Sequence, residues 1–150
     1  MLKRRSPDST EWHLLARSKI VMLKSGILNP HVLSLIARVR HTNTLVIADR
    51  GFPFWPQIET VDISLVDGIP SVLDVVRALR VHCGYDQAWM AQEFNAANPE
   101  STRHAFASAM AGIPLTFEPH VEFKRRIPGA IGLIRTGETV QYANLILRSA

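Results

Sequence analysis

The sequence predicts a single α/β domain in which a mixed central sheet has helices on both faces. A chain of 150 residues has the usual length of one domain. Predicted strands and helices alternate along most of it, and this alternation is typical of α/β proteins. Residues 45–48 are all apolar, with no polar residue between them, which indicates a central strand covered on both faces.

The first half of the chain predicts two helices and two strands. Asn29 followed by Pro30 is typical of a helix start, with Asn as the N-cap and Pro at the first helical position. Apolar residues at helical spacing extend this helix to Arg40. The other elements follow in chain order: a strand over residues 45–48, a strand over residues 61–65 and a helix over residues 71–80.

The second half predicts further strands and helices. Asn98 and Pro99 mark the start of a helix that continues to Met110. Residues 88–94 fit either a strand or a helix, and we interpret them as a short strand. The last elements are a strand over residues 115–117, one or two helical turns over residues 121–127, and strands over residues 131–134 and 145–147. Residues 136–138 form the turn region between the final two strands, so we expect a hairpin-like pair that makes the sheet mixed.

The composition excludes several classes of protein. The chain is 47% hydrophobic and 20% charged, which is ordinary for a globular protein with a real core. No apolar run approaches the roughly 20 residues of a membrane-spanning helix, so we expect no membrane partner. The single cysteine, Cys83, excludes a disulfide framework. The six histidines show no recognisable metal spacing, so we expect no metal ion.

The formal net charge of +4 is concentrated at the N-terminus. Residues 1–24 hold six basic and two acidic side chains, and the remaining residues hold eleven of each. We therefore treat residues 1–21 as a basic extension outside the domain, with Met22 as an alternative first residue. A folded body without net charge argues against a nucleic-acid partner. Basic and polar residues interrupt the apolar part of the extension, unlike a secretory signal, and we expect a cytoplasmic protein.

The motifs of nucleotide-binding loops, zinc proteases and serine hydrolases are missing from the sequence. Five polar residues instead lie at the ends of predicted elements: His41, Asp49, His120, Tyr142 and Asn144. Such ends can converge on one crevice of a sheet that is covered on both faces. Taken singly, each residue is more often a cap, a turn residue or a packing residue. The residues alone predict a polar site with an imidazole and a carboxylate.

Four segments, in order and at suitable separations, carry a resemblance to a known family. They are MLKSGILNPHV from Met22, HTNTLVIADRGFP from His41, VDISLVDGIPSVLDVV from Val61 and TGETVQYANLIL from Thr136. From Met22 to Arg148 the chain resembles the D-ribose pyranase/L-fucose mutarotase family of small sugar isomerases. The resemblance implies that residues 22–150 form a sugar pyranase/mutarotase domain with the fold of that family.

The resemblance also implies the roles of individual residues. It implies His41 as the catalytic general acid, and Asp49, His120 and the Tyr142-Ala143-Asn144 segment as contacts of a monosaccharide substrate. It further implies no cofactor and a ring-shaped homo-oligomer, often a decamer, with sites completed across subunit contacts. The implied reaction interconverts cyclic forms of an aldose, with β-pyranose and β-furanose D-ribose favoured. A histidine has an unperturbed pKa of about 6.5 and can transfer the protons of ring opening near neutral pH.

Three residues and one aromatic loop depart from the family pattern beside the implied site. Arg40 stands where the family usually has Gly, and Asn43 stands where Asp is common. Arg50 and the loop Phe52-Pro53-Phe54-Trp55 stand where small residues are frequent. These departures leave two alternatives open. One is an anomeric mutarotase for L-fucose or another sugar, and the other is a sugar-binding accessory protein without catalysis. The Tyr-Ala-Asn and Gly-Ile-Pro-Ser segments favour the ribose branch.

Overall fold

The computed structural model describes residue 23 and residues 25–150, so the basic extension over residues 1–21 lies outside the described residues. The helices in the described part are α1 (Pro30–Ile36), α2 (Val72–His82), α3 (Glu93–Ala97), α4 (Glu100–Ala109) and α5 (His120–Arg126), followed by a 3₁₀ turn (Ile127–Gly129). The strands are β1 (Thr44–Ala48), β2 (Glu59–Asp62), β3 (Tyr85–Ala91), β4 (Leu115–Glu118), β5 (Gly132–Arg135) and β6 (Leu145–Ser149). None of these helices is long and apolar enough to cross a membrane.

The six strands form one mixed sheet in the order β2-β5-β1-β6-β3-β4. β5 is parallel to both β2 and β1, and β3 is parallel to β4. β6 runs antiparallel to its two neighbours, β1 and β3. Five strands therefore point one way, and β6 alone points the other way. The predicted α/β class with a mixed sheet is confirmed.

The predicted hairpin between the last two strands is wrong, because β1 lies between β5 and β6. Residues 136–138 do not form a tight exposed turn and are buried instead. Thr136 donates two hydrogen bonds to the carbonyl of Ala48, from its backbone N–H at 2.9 Å and from its hydroxyl at 2.8 Å. The connection is thus fixed to the end of β1, and the chain crosses β1 before it forms β6.

Three predicted element boundaries also differ from the structure. α1 ends at Ile36, four residues before the predicted end. The second strand lies earlier in the chain than predicted, because Asp62 accepts a hydrogen bond from the backbone N–H of Ser64 and ends the strand in a local turn. The predicted strand over residues 88–94 is part of β3, but residues 93–97 form the unpredicted helix α3.

Successive residues of β1 point to opposite faces of the sheet and into two separate cores. Leu45 and Ile47 pack into a core shared with α1, α2, α3 and α4. Val46 and Ala48 pack into a second core shared with α5 and the 3₁₀ turn. All four side chains are 0–1% exposed, so the prediction of a strand covered on both faces is confirmed. Burial of each larger apolar side chain stabilises the fold by about 1.5–3 kcal/mol.

The parallel direction of five strands gives the sheet two chemically different edges. We call the end of the sheet at which these five strands finish and β6 begins the carboxyl edge. We call the opposite end of the sheet, at which the five strands begin and β6 finishes, the amino edge. In α/β sheets ligands bind most often at the carboxyl ends of the strands.

Gly137 provides a test of how tightly the connection before β6 is packed. A Cβ at this position would lie 2.3 Å from the Val66 carbonyl oxygen and 2.6 Å from that of Ile69. We predict that Gly137→Ala lowers the free energy of unfolding by at least about 1 kcal/mol, because the backbone atoms of Val66 and Ile69 would have to move. Urea unfolding followed by circular dichroism measures the change.

Gly129→Ala is the matched control, because a Cβ at Gly129 meets nothing within 4 Å. We expect its free energy of unfolding to stay within about 0.5 kcal/mol of the wild type. Equal stability of the Gly137→Ala and Gly129→Ala variants would contradict the packing described here.

Candidate active site

A cleft of about 410 Å³ opens at the carboxyl edge of the sheet. It lies between the end of β1, the segment before β6 and the first turn of α5. Its lining residues are Asp49, Gly51, Phe52, Pro53, His120, Lys124, Gln141, Tyr142 and Asn144. The volume falls in the range of small-molecule sites, roughly 300–1,000 Å³.

A pair of hydrogen bonds joins Asp49 to Asn144 at the floor of this cleft. The Asn144 amide oxygen accepts from the Asp49 backbone N–H at 2.7 Å. The Asn144 amide nitrogen donates to the Asp49 carboxylate at 3.1 Å. The two residues meet because β1 and β6 are antiparallel and Ile47 pairs with Leu145. The carboxylate is therefore held in one orientation, and its free lone pairs remain available to accept from a ligand hydroxyl.

His120 begins α5, and its ring lies between two aromatic side chains. The ring packs edge-on against Tyr142, with 5.2 Å between centroids, and lies 6.2 Å from the ring of Phe123. The Glu93 carboxylate accepts the His120 backbone N–H at 3.0–3.1 Å. Within the described part of the chain, the imidazole Nε2 is buried and has no hydrogen-bond partner.

The surroundings of His120 favour its neutral form. Burial is the largest effect and lowers the pKa of the imidazole below its ordinary value of 6.5. The Lys124 ammonium lowers the pKa further, and the Glu93 and Asp49 carboxylates offset part of the change. At neutral pH the ring therefore has one nitrogen that donates and one that accepts, which suits a hydroxyl group.

Tyr142 adopts a left-handed backbone conformation, with φ of 56°. This conformation costs a non-glycine residue roughly 1–2 kcal/mol, so neighbouring contacts must hold it. One such contact is the Asn98 amide, which donates to the Gln141 carbonyl at 2.9 Å. Ala143 is fully buried in the core and does not line the cleft. Its side chain serves as a packed spacer between Tyr142 and Asn144.

Lys124 lines the cleft, although it was not predicted from the sequence. His120 and Lys124 are four residues apart in α5 and therefore lie on the same helix face. The helix was predicted to begin at residue 121, so this spacing was not recognised. Gln141, Phe52 and Pro53 were also missed as lining residues, and Phe52 and Pro53 give the cleft an apolar wall.

His41 lies at the amino edge and not in the cleft of its own chain. It is exposed, and the Thr42 backbone N–H beside it donates to the Ser149 carbonyl at the end of β6, at 3.1 Å. Seven residues separate His41 from Asp49, and the five of them that form β1 span roughly 16 Å. Of the five polar residues, the structure brings Asp49, His120, Tyr142 and Asn144 together in the cleft and leaves His41 outside it. A strand has two ends, and His41 and Asp49 flank opposite ends of the same strand.

Of the residues that depart from the family pattern, Phe52 and Pro53 line the cleft, whereas Arg40, Asn43 and Arg50 do not. The Asn43 side chain accepts from the Arg40 backbone N–H at 2.8 Å and closes the turn before β1. The Arg40 guanidinium donates to the carbonyls of Ala37 and Val39 just after α1. Arg50 forms an exposed ion pair with Asp67 at 2.7 Å.

The chemistry of the cleft fits a small polyol. A carboxylate, two amides, a phenol, an imidazole and an ammonium group provide both donors and acceptors. Phe52, Pro53 and the Tyr142 ring offer an apolar surface for C–H groups. Among residue 23 and residues 25–150, no group of three or more His, Cys, Asp and Glu side chains could hold a metal ion.

Comparison with solved structures finds the same architecture in sugar-binding proteins. The structure of Bacillus subtilis RbsD complexed with D-ribose superposes with a TM-score of 0.80 and 32% identity, covering 86% of this chain and 98% of that one. The fucose mutarotase of Streptococcus pneumoniae, solved in complex with L-fucose, superposes with a TM-score of 0.70. Its identity is 18%, covering 81% of this chain and 92% of that one, so it shows the fold alone.

Comparison with curated proteins finds relatives of similar length. The D-ribose pyranase of Laribacter hongkongensis is 41% identical over 128 residues, covering 85% of this chain and 97% of the relative. The D-ribose pyranase of Geobacillus kaustophilus is also 41% identical over 128 residues, covering 85% and 93%. The sequence model of the RbsD / FucU transport protein family matches residues 22–150. This chain belongs to the RbsD/FucU family.

Proposed function

We propose that the protein is an isomerase that interconverts the β-pyranose and β-furanose forms of D-ribose. The observation that carries the proposal is a cleft of polyol-binding groups, anchored by the Asp49–Asn144 pair. It occurs in a chain that is 34–41% identical to proteins named D-ribose pyranase. The RbsD structure that superposes at a TM-score of 0.80 was solved with D-ribose.

The proposed reaction needs only proton transfers. In ring opening, the bond between the anomeric carbon and the ring oxygen breaks. The ring oxygen gains a proton, and the anomeric hydroxyl loses one and becomes the aldehyde. Attack of a different hydroxyl on the aldehyde then closes the other ring, and the two protons move in reverse. Atoms and electrons balance without an oxidant or a second substrate, so one acid–base group and a binding cleft are sufficient.

Each cleft residue has a defined part in the proposal. The Asp49 carboxylate accepts from sugar hydroxyls, while Asn144 keeps it oriented. The neutral imidazole of His120 and the ammonium group of Lys124 bind further hydroxyls of the sugar. The Tyr142 ring packs against His120. His41 is the general acid for the ring oxygen. A cytoplasmic location, as expected from the sequence, is part of the same proposal.

His41 must come from a second copy of the chain if it acts in this cleft. The cleft lies at the carboxyl edge, and His41 is exposed at the amino edge. A contact between unlike edges is head-to-tail, and head-to-tail contacts generate a ring when the rotation closes. Large exposed apolar side chains in the carboxyl-edge loops support such a contact: Phe54, Leu65, Val66 and Ile69, each at least 54% exposed. We therefore include a ring-shaped homo-oligomer, with a decamer as the expected size, in the proposed function.

Saturation-transfer proton NMR on equilibrated sugars tests the activity. We expect the protein to accelerate exchange between the pyranose and furanose signals of D-ribose. Acceleration of anomer exchange in L-fucose alone would favour the mutarotase alternative. Binding of ribose without any acceleration would favour a sugar-binding accessory protein.

A mixing experiment tests the shared site. We predict that His41→Ala and Asp49→Asn each reduce ribose exchange at least about 100-fold, because one lacks the acid and the other the oriented carboxylate. In co-assembled oligomers with equal amounts of both variants, about one quarter of the clefts would combine an intact cleft with an intact neighbouring His41. Exchange should therefore recover to about one quarter of the wild-type rate.

The control for this experiment is a mixture of separately purified oligomers that do not exchange subunits. That mixture should stay inactive. If the co-assembled sample is also inactive while both variants remain folded, His41 acts within its own chain or not at all.

The lowered pKa of His120 predicts a pH dependence of ribose binding. Bound sugar would cover the cleft and add to the burial that already lowers this pKa, so protonation opposes binding. We expect the affinity for D-ribose to be constant above pH 6.5 and to fall as the pH drops through the folded-state pKa of His120. Calorimetric titration at several pH values measures this dependence.

Lys124→Met should move the fall in affinity to a higher pH, because it removes the second-largest cause of the lowered pKa. Lys124→Arg keeps the positive charge and is the matched control, so its profile should follow the wild type. Identical profiles for the Met and Arg variants would contradict the assignment of the pH dependence to His120.

A further inference from the structure

Glu138 is a buried acidic residue to which the proposed reaction assigns no part. It is 5% exposed and lies in the connection between β5 and β6. Its side chain points away from solvent, and it does not line the cleft. A buried carboxylate is costly unless it is fully hydrogen-bonded, so its partners indicate what it does.

The Glu138 carboxylate binds the turn that leads into the cleft. One carboxylate oxygen accepts from the backbone N–H groups of Thr139 and Val140, at 2.9 and 3.0 Å. These residues immediately precede Gln141 and Tyr142, which line the cleft. Charge-assisted bonds of this kind are about twice as strong as neutral ones. The carboxylate therefore helps to hold Tyr142 in its left-handed conformation.

The other carboxylate oxygen reaches the first residue of α2. It accepts from the Val72 backbone N–H at 3.1 Å, a group without a partner inside the helix. One side chain thus joins the turn before Tyr142 to the N-terminus of an 11-residue helix in the core. The helix provides a rigid support for the turn.

The backbone of the same residue binds the other side of the cleft. The Glu138 carbonyl accepts from the Arg50 backbone N–H at 3.1 Å. The Glu138 N–H donates to the Thr136 hydroxyl, which in turn donates to the Ala48 carbonyl, at 3.1 and 2.8 Å. The two residues flanking Asp49 are therefore held by the segment that contains Glu138.

We propose that Glu138 is a positioning residue that fixes the distance between the Asp49 loop and the Tyr142–Asn144 segment, and so sets the affinity for the sugar. The proposal rests on the proposed function, because it assigns these two segments to substrate binding. His41 lies at the opposite edge and does not contact Glu138. A change at Glu138 should therefore alter KM more than kcat.

The Glu138→Gln variant tests the proposal with little change in shape. Its amide oxygen can still accept from Thr139 and Val140, but its NH₂ group would face the Val72 N–H, donor against donor. We expect KM for ribose exchange to rise about five- to tenfold and kcat to stay within about twofold. Hydrogen exchange by mass spectrometry should be faster in residues 49–52 and 139–144.

Asp74→Asn is the matched control at the same helix end. Asp74 accepts from the Ser71 backbone N–H at 2.9 Å in the capping box of α2, but it has no bond to residues 139–140. This variant should lose stability while KM and the hydrogen exchange of residues 49–52 and 139–144 stay unchanged.

The outcomes separate the two proposals. Suppose that the wild type is active, that Glu138→Gln leaves KM unchanged, and that the apparent kcat of the variant falls only in proportion to its folded fraction. Glu138 would then have a purely structural role, and this inference alone would be overturned. A wild type that neither binds nor exchanges ribose would overturn the proposed function, and the sugar-affinity role of Glu138 with it. Slower or equal hydrogen exchange in both segments would also overturn the positioning role.

Discussion

The antiparallel register of β1 and β6 is the constraint from which the cleft follows. It brings Asn144 beside Asp49, and two hydrogen bonds then join these residues, one at the Asp49 backbone N–H and one at the Asp49 carboxylate. β6 is inserted between β1 and β3, so it also brings the Tyr142 turn beside the start of α5. A hairpin between β5 and β6 would have left these groups apart. The sheet order thus decides which side chains line the cleft.

A second consequence of the same sheet is that, in the proposed function, the chain carries two halves of a site that do not meet. The binding groups are at the carboxyl edge and His41 is at the amino edge. A strand only five residues long still spans roughly 16 Å, which no side chain can bridge. In the proposed function, oligomer formation and catalysis are therefore coupled, because a monomer would hold each half without the other.

Local patterns predicted much of the fold and four of the nine residues that line the cleft. The apolar run over residues 45–48, the Asn29–Pro30 cap and the alternation of elements depend on neighbours in sequence, and the structure confirms them. Strand order depends on long-range pairing, so the hairpin prediction was wrong. Lys124 was missed because its place in the cleft depends on α5 beginning at His120. Glu138 was interpreted as a turn residue, since its burial comes from segments distant in sequence.

A structure of the assembled protein with D-ribose would test the central claim most directly. We expect sugar oxygens within about 3.2 Å of Asp49 and His120 of one copy, and His41 of a neighbouring copy at a similar distance from the ring oxygen. A sugar bound away from the Asp49–Asn144 pair, or bound there with no second copy near it, would contradict a site shared between two copies.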